Sequence, residues 1–173
     1  MSVRALGRHF QVTPQSILNR IDRLARQEIA CHANLRPLAA PGEDISIDGL
    51  VSFDCSQYFP SDITIAISAD SRFVLSFTHA TLRRAGTTRP EQKLRRDELY
   101  AGLRFEGRAV ERSFREILDS LEQERPPGPG RPLVLITDEK KEYTRAYHKH
   151  RLFTSQDEER RIARRTVNSK AAR

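Results

Sequence analysis

Ile45-Ser46-Ile47-Asp48-Gly49-Leu50-Val51-Ser52-Phe53-Asp54 reads as a β-strand that carries an acid in its interior. Ile45, Ile47, Val51 and Phe53 alternate with Ser46, Asp48, Ser52 and Asp54, the period of an extended chain with one apolar face. A carboxylate inside such a strand is costly to bury unless a metal, a cation or hydrogen bonds satisfy it. Asp48 is therefore a candidate site residue. Asp54 shares its face but lies six residues on, about 20 Å at strand rise, so the two acids cannot hold one ion.

A second strand of the same kind, Pro132-Leu133-Val134-Leu135-Ile136-Thr137-Asp138-Glu139, follows the linker-like Arg125-Pro126-Pro127-Gly128-Pro129-Gly130-Arg131. Its nearly unbroken apolar run predicts a central strand covered on both faces. Asp138 falls at its carboxyl end, the edge where open α/β sheets bind ligands. Asp48 and Asp138 on neighbouring strands are thus candidate ligands for one divalent cation. A plainer reading competes: Asp48 bonds a nearby backbone amide, and Asp138 caps a helix beginning at Lys140.

The 173 residues leave room for one domain with a real core and a small appendage. No apolar stretch approaches the roughly 20 residues of a membrane span. Arg4 and Arg8 interrupt the apolar N-terminus, so no secretory signal is expected there, and a cytoplasmic protein without a membrane partner is the expectation. Cys31 and Cys55 have no CxxC spacing and predict reduced thiols. The net charge of +7 is unevenly placed. Lys plus Arg against Asp plus Glu number 6 and 2 in residues 1–40, 13 and 17 in 41–139, and 11 and 4 in 140–173. Basic ends around an acidic middle suit a polyanion gripped at both ends, and equally an ordinary basic protein with solvated arginines.

Residues 2–27 read as a helix-turn-helix: Val3, Leu6 and Phe10 on a short helix, a tight turn at Gln11-Val12-Thr13, and a second helix from Pro14. Thr13 suits an N-cap and Pro14 the first helical position. Ile17, Leu18, Ile21 and Leu24 form the predicted apolar face. Gln15, Ser16, Asn19, Arg20 and Arg23 point elsewhere and are the candidate DNA-binding residues, since amides and guanidinium groups near the start of the second helix are what a major-groove reader needs. The alternative is a basic amphipathic helix packed on the rest of the protein. A complete tri-helical module needs a further helix before Val3. The connector His32 to Glu43, with Pro37 and Pro41, divides the chain into segments 1–40 and 41–173.

Beyond the Asp48 strand, Cys55 to Asp62 predict a loop. Ile63 to Ala69 and Arg72 to His79 predict two strands joined by a tight turn at Asp70-Ser71, completing a three-stranded meander. Residues 82–108 read as a loop, a mobile basic segment with only weak helical signal at Leu94, Leu99 and Tyr100. Val110 to Glu124 predict a helix, with Val110, Phe114, Ile117, Leu118 and Leu121 at helical spacing. Another helix is expected over Lys140 to His150, its narrow face Tyr143, Ala146 and Tyr147, with His148 and His150 as exposed helix-end residues. The charged tail from Ser155 holds a short strand at Arg165 to Asn168.

Three antiparallel strands, a helix and a buried strand ending in Asp is the element order of the ribonuclease H-like fold, an α/β mixed sheet, here preceded by a small all-α segment. Leu6-Gly7-Arg8-His9-Phe10, Asn19-Arg20-Ile21-Asp22-Arg23-Leu24, Ile47-Asp48-Gly49-Leu50, Ser56-Gln57-Tyr58-Phe59-Pro60, Thr137-Asp138-Glu139 and Ser169-Lys170-Ala171-Ala172-Arg173 resemble bacterial insertion-sequence transposases of the DDE superfamily. That resemblance implies that Asp48 and Asp138 are the first two acids of a catalytic triad holding Mg2+ or Mn2+. Activated water, then a DNA 3′-hydroxyl, would attack phosphodiesters. It implies double-stranded DNA partners, both transposon ends and target, gripped by Arg20 and Arg23 with tail arginines on phosphates, and it leaves room for a homo-oligomer. The third acid, a Glu on a helix after the fifth strand, has no counterpart, because Glu158 and Glu159 precede that strand. The zinc-ribbon-like N-terminal region is missing too. The chain therefore reads as a transposase fragment truncated at both ends, its catalytic core 41–173 incomplete at the C-terminus, and its status as an enzyme stays open. The rival is a catalytically inactive helix-turn-helix DNA-binding protein derived from a transposase. A third reading, a strand transferase using Tyr143 or Tyr147 with Arg145 and His148, is disfavoured because these residues crowd one or two turns of a helix.

Overall fold

The computed structural model describes residues 2–36, 43–124, 134–154 and 162–167, and the chain divides into two compact units, Met1–Ala39 and Ala40–Arg173. The expectations for the connector at 37–42, the 125–131 linker, Pro132 and Leu133, Glu158 and Glu159, and the final Ser169 to Arg173 lie outside the described residues.

In the first unit, α1 (Val3–His9) starts at Ser2, whose hydroxyl accepts from the Ala5 N–H at 3.2 Å. The chain turns through Gln11, at φ 53°, into α2 (Pro14–Leu35). Thr13 caps α2 by accepting from the Ser16 N–H at 3.1 Å, and Pro14 takes the position where a missing N–H costs nothing. A Cβ on buried Gly7 would lie 2.9 Å from the Val12 carbonyl, so the turn closes on α1 only because no side chain intervenes. Two expectations need correction. The second helix runs to Leu35 rather than ending near residue 27, because no Pro or Gly interrupts Gln27 to Asn34. Of its predicted apolar face only Ile17 is buried, while Leu18, Ile21 and Leu24 are exposed.

The second unit opens with β1 (Ile45–Phe53), β2 (Pro60–Ser68) and β3 (Val74–Thr81). Two helices follow, α3 (Pro90–Tyr100) and α4 (Ala109–Glu124). Then come β4 (Val134–Thr137), α5 (Lys141–Lys149), α6 (Arg151–Thr154) and β5 (Ala163–Thr166). The sheet order is β3-β2-β1-β4-β5, with β2 antiparallel to both neighbours and β4 parallel to β1 and to β5. This is an α/β fold with a mixed five-stranded sheet, as expected, preceded by a small all-α segment. β1 turns Ile45 and Ile47 to the helix-covered face, in register with Ala66 of β2 and beside Leu135 of β4. Phe114, Ile117, Leu118 and Leu121 bury the apolar stripe of α4 there, and Tyr143 of α5 stacks on Phe114 with ring centroids 4.3 Å apart. Each of these side chains stabilises the fold by about 1.5–3 kcal/mol through burial.

Three local readings change. β2 begins at Pro60, so Ser61 and Asp62 belong to the strand instead of a loop. The turn from β2 to β3 is longer than two residues, with Arg72 at φ 58° and Glu43 accepting from both the backbone N–H and hydroxyl of Ser71. The predicted loop at 82–108 contains α3. Pro90 opens it, and the Gln92 side chain accepts from the Arg89 N–H. Its amphipathic signal is weak because one buried residue anchors it: the Tyr100 hydroxyl donates to the Tyr58 carbonyl and accepts from the Arg84 N–H.

Candidate functional site

Ile45, Ser46 and Ile47 of β1 lie opposite Leu135, Ile136 and Thr137 of β4. One residue further along each parallel strand are Asp48 and Asp138, so the register carries both acids to the carboxyl end of β4. Asp48 is exposed, in a row with Ile65 and Phe77 on the sheet face opposite α5, and its Oδ1 accepts from the Gly49 N–H at 2.7 Å. It is therefore not the buried strand acid that the sequence suggested, and needs no cation to offset desolvation. Asp138 is half-buried, and its Oδ1 accepts from the Lys140 N–H at 3.2 Å just ahead of α5. Its position is set from β5. Arg164 donates to the Thr137 hydroxyl at 2.8 Å, to the Thr144 hydroxyl at 2.8 Å and to the Asp138 carbonyl at 2.9 Å. Burial holds this guanidinium below the ordinary arginine value. Arg164 is thus one tail arginine committed to the protein interior, where the resemblance had implied phosphate contact.

On the helix-covered side, Lys140 Nζ donates to the Tyr143 hydroxyl at 3.3 Å and stands 3.8 Å from Asp138 Oδ2 and 3.9 Å from Asp62 Oδ1. Burial works against its charge. The Tyr143 hydroxyl and the Asp138 and Asp62 carboxylates outweigh that penalty and hold the ammonium above the ordinary lysine value. Tyr143 itself is pushed up, chiefly by burial, so its hydroxyl is neutral at pH 7. Asp62 is buried and also accepts from the Thr64 hydroxyl at 2.9 Å. Gly49 makes the assembly possible, since a Cβ there would collide with Lys140 Nζ and the Tyr143 hydroxyl. Sequence reading missed Asp62 and Lys140. The alternation of Asp62 and Thr64 with Ile63 and Ile65 was the available signal for Asp62, masked by the Pro60 that precedes it.

Among the described residues, three metal-ligating side chains approach within 4.8 Å of one another at Asp119, Glu122 and His150. Their hydrogen bonds argue against a metal there. His150 Nδ1 accepts from the Leu152 N–H at 3.2 Å, which leaves the proton on Nε2, 3.0 Å from Asp119 Oδ1. Glu122 is paired with Arg151. The cluster locks α4 to the end of α5, and His150 is buried rather than the exposed helix-end residue expected. Tyr143 and Tyr147 are likewise buried, as the packed-face reading of that helix predicts.

The candidate DNA-binding residues gather on the first turns of α2. Gln15, Asn19, Arg20 and Arg23 are exposed; Ser16 is half-buried beside the Thr13 cap, and the Gln15 amide donates to Asn19 Oδ1 at 2.9 Å. Among the described residues no helix is long and apolar enough to cross a membrane. Both cysteines are free and exposed.

No protein-family model matches the chain, and no curated protein matches it. Among solved structures it is similar to Ciona intestinalis endonuclease V in complex with a 24-mer DNA containing an inosine followed by a ribo-adenosine. The identity is 12%, over 68% of this chain and 46% of that one, at a TM-score of 0.28. A likeness that weak carries no argument about fold or activity, and the chain spans less than half of that protein's length.

Proposed function

We propose that residues 41–173 form the metal-dependent core of a DNA-processing enzyme of the DDE transposase type, and that residues 1–40 are its DNA-binding segment. The observation that supports this most is the register of β1 on β4, which puts Asp48 and Asp138 at equivalent steps on adjacent parallel strands. Two hard carboxylate ligands fit Mg2+ or Mn2+, ions held by one or two carboxylates together with waters and phosphate oxygens. When bound, the ion supplies Lewis-acid polarisation of a phosphodiester and neutralises charge on the leaving oxygen. The chain's own contribution is placement. Arg164 fixes the backbone that carries Asp138, and Gln15, Ser16, Asn19, Arg20 and Arg23 orient DNA. Transposon ends and target DNA are the substrates that this reading assigns, with the protein acting at the nucleoid.

A second reading, an inactive DNA-binding protein, draws support from the acids' present engagements. Asp48 is satisfied by a backbone N–H and Asp138 by Lys140, and no third ligand joins them among the described residues. One experiment separates the two: Mn2+-dependent nicking of supercoiled DNA by wild type, Asp48→Asn and Asp138→Asn. The enzyme reading expects a loss of at least about a hundredfold for each variant, as when an interaction made only in the transition state is removed. Nicking unchanged in both would eliminate it, whereas DNA binding indifferent to metal and to both substitutions is the outcome expected of the inactive protein.

A further inference from the structure

We infer that Lys140 is a resident counter-cation of the Asp138 site, that a divalent ion binds there only by displacing its ammonium, and that buried Asp62 receives the displaced charge. The inference rests on the metal reading of Asp48 and Asp138 given above.

The geometry is that of one monovalent cation shared by two acids. Nζ lies 3.8 Å from Asp138 and 3.9 Å from Asp62, donating a hydrogen bond to neither carboxylate and, among the described residues, only to the Tyr143 hydroxyl. It also lies 4.9 Å from the centre of the Tyr143 ring. Nothing holds the ammonium on Asp138 rather than Asp62, and the missing side chain at Gly49 leaves the space in which it sits. A divalent ion on Asp138 would place two positive charges beside a third. Repulsion at about 4 Å is substantial even at the intermediate dielectric of a half-buried site. Asp62 is the other carboxylate within reach. It is 2% exposed and fixed by the Thr64 hydroxyl. A buried acid positioned this way gives the displaced ammonium a partner, so the exchange does not strand a charge in the core.

The two partners must then act with opposite sign. Removing the ammonium in Lys140→Met takes a competitor off Asp138 and tightens Mn2+ binding about five- to tenfold, the scale of one partly screened unit charge. Neutralising the alternative acceptor in Asp62→Asn leaves Lys140 with Asp138 as its carboxylate partner and weakens Mn2+ binding by a similar factor. The double variant matches Lys140→Met, because Asp62 acts only through the ammonium. A purely structural network would weaken binding in every variant.

The measurement is free Mn2+ followed by electron paramagnetic resonance during titration of the full chain, with thermal melts by circular dichroism to verify folding. If Lys140→Met loses its cooperative melt, the double variant carries the test, since it holds no unpaired buried charge and must still bind more tightly than wild type. If either single variant moves the wrong way or not at all while Asp138→Asn abolishes binding, the exchange is overturned and the metal reading stands. If Asp138→Asn keeps wild-type affinity, or the wild type binds no Mn2+, the metal reading falls and takes the exchange with it.

Discussion

Two acidic clusters sit on the second unit, and the one that looks more like a metal site is the less able to hold a metal. Asp119, Glu122 and His150 converge within 4.8 Å, but both His150 ring nitrogens are engaged, Nδ1 accepting from the Leu152 N–H and Nε2 facing Asp119, and Glu122 is paired with Arg151. Among the described residues, Asp48 and Asp138 form no three-residue cluster. Each accepts a single backbone N–H through one oxygen, and the nearby ammonium is shared with Asp62. Proximity of ligand types is thus a poorer guide to chemistry than an account of which atoms are already bonded.

Three substitutions test that contrast. Arg164→Met has the largest expected effect. It removes three hydrogen bonds from a half-buried charged donor and leaves the Asp138 carbonyl and two hydroxyls to find other partners. Chemical denaturation should show a loss of about 3 kcal/mol, with weaker Mn2+ binding, because the strand end carrying Asp138 loosens. If the destabilised protein binds Mn2+ as well as wild type, Arg164 does not position the site.

His150→Ala follows, at about 2 kcal/mol, the cost of leaving the Leu152 N–H unpaired and losing the bond to Asp119. Mn2+ affinity should not change. A fall in Mn2+ affinity would show the helix-end cluster to be the metal centre after all.

The smallest effect belongs to Glu111, on the same α4–α5 seam. Its carboxylate, whose burial alone would raise it, is held below the ordinary glutamate value of 4.5 by Lys149, Arg108 and Arg115. A lowered folded-state value means that the contribution is complete above 4.5 and fades as the pH falls through the folded value. Glu111→Gln should melt slightly below wild type at pH 7, with the gap closing in acid. A gap that persists unchanged at low pH would assign the effect to packing instead of charge.

Much of this architecture was readable from local pattern. Alternation exposed β1, although of its predicted apolar face only Ile45 and Ile47 are buried while Val51 and Phe53 are exposed; the apolar run exposed β4, and helical spacing exposed α4 and α5. α3 escaped because a single residue, Tyr100, anchors it, and a single contact leaves no period to detect. The start of β2 escaped because Pro60 and the polar Ser61-Asp62 resemble a loop until the strand is paired with Phe53, Ser52 and Val51.

The site divides in the same way. The chain itself determined an α/β order of elements, strand acids at Asp48 and Asp138, and a basic helical segment at its start, since residue type and spacing suffice for these. Tertiary structure alone decided that Asp48 faces solvent, that His150 is buried, and that Asp62, Lys140 and Arg164 meet around Asp138. Those contacts join β2, β5 and the approach to α5, segments far apart in the chain. Sheet register brings them together, and register is a property of paired strands that no single stretch of sequence contains.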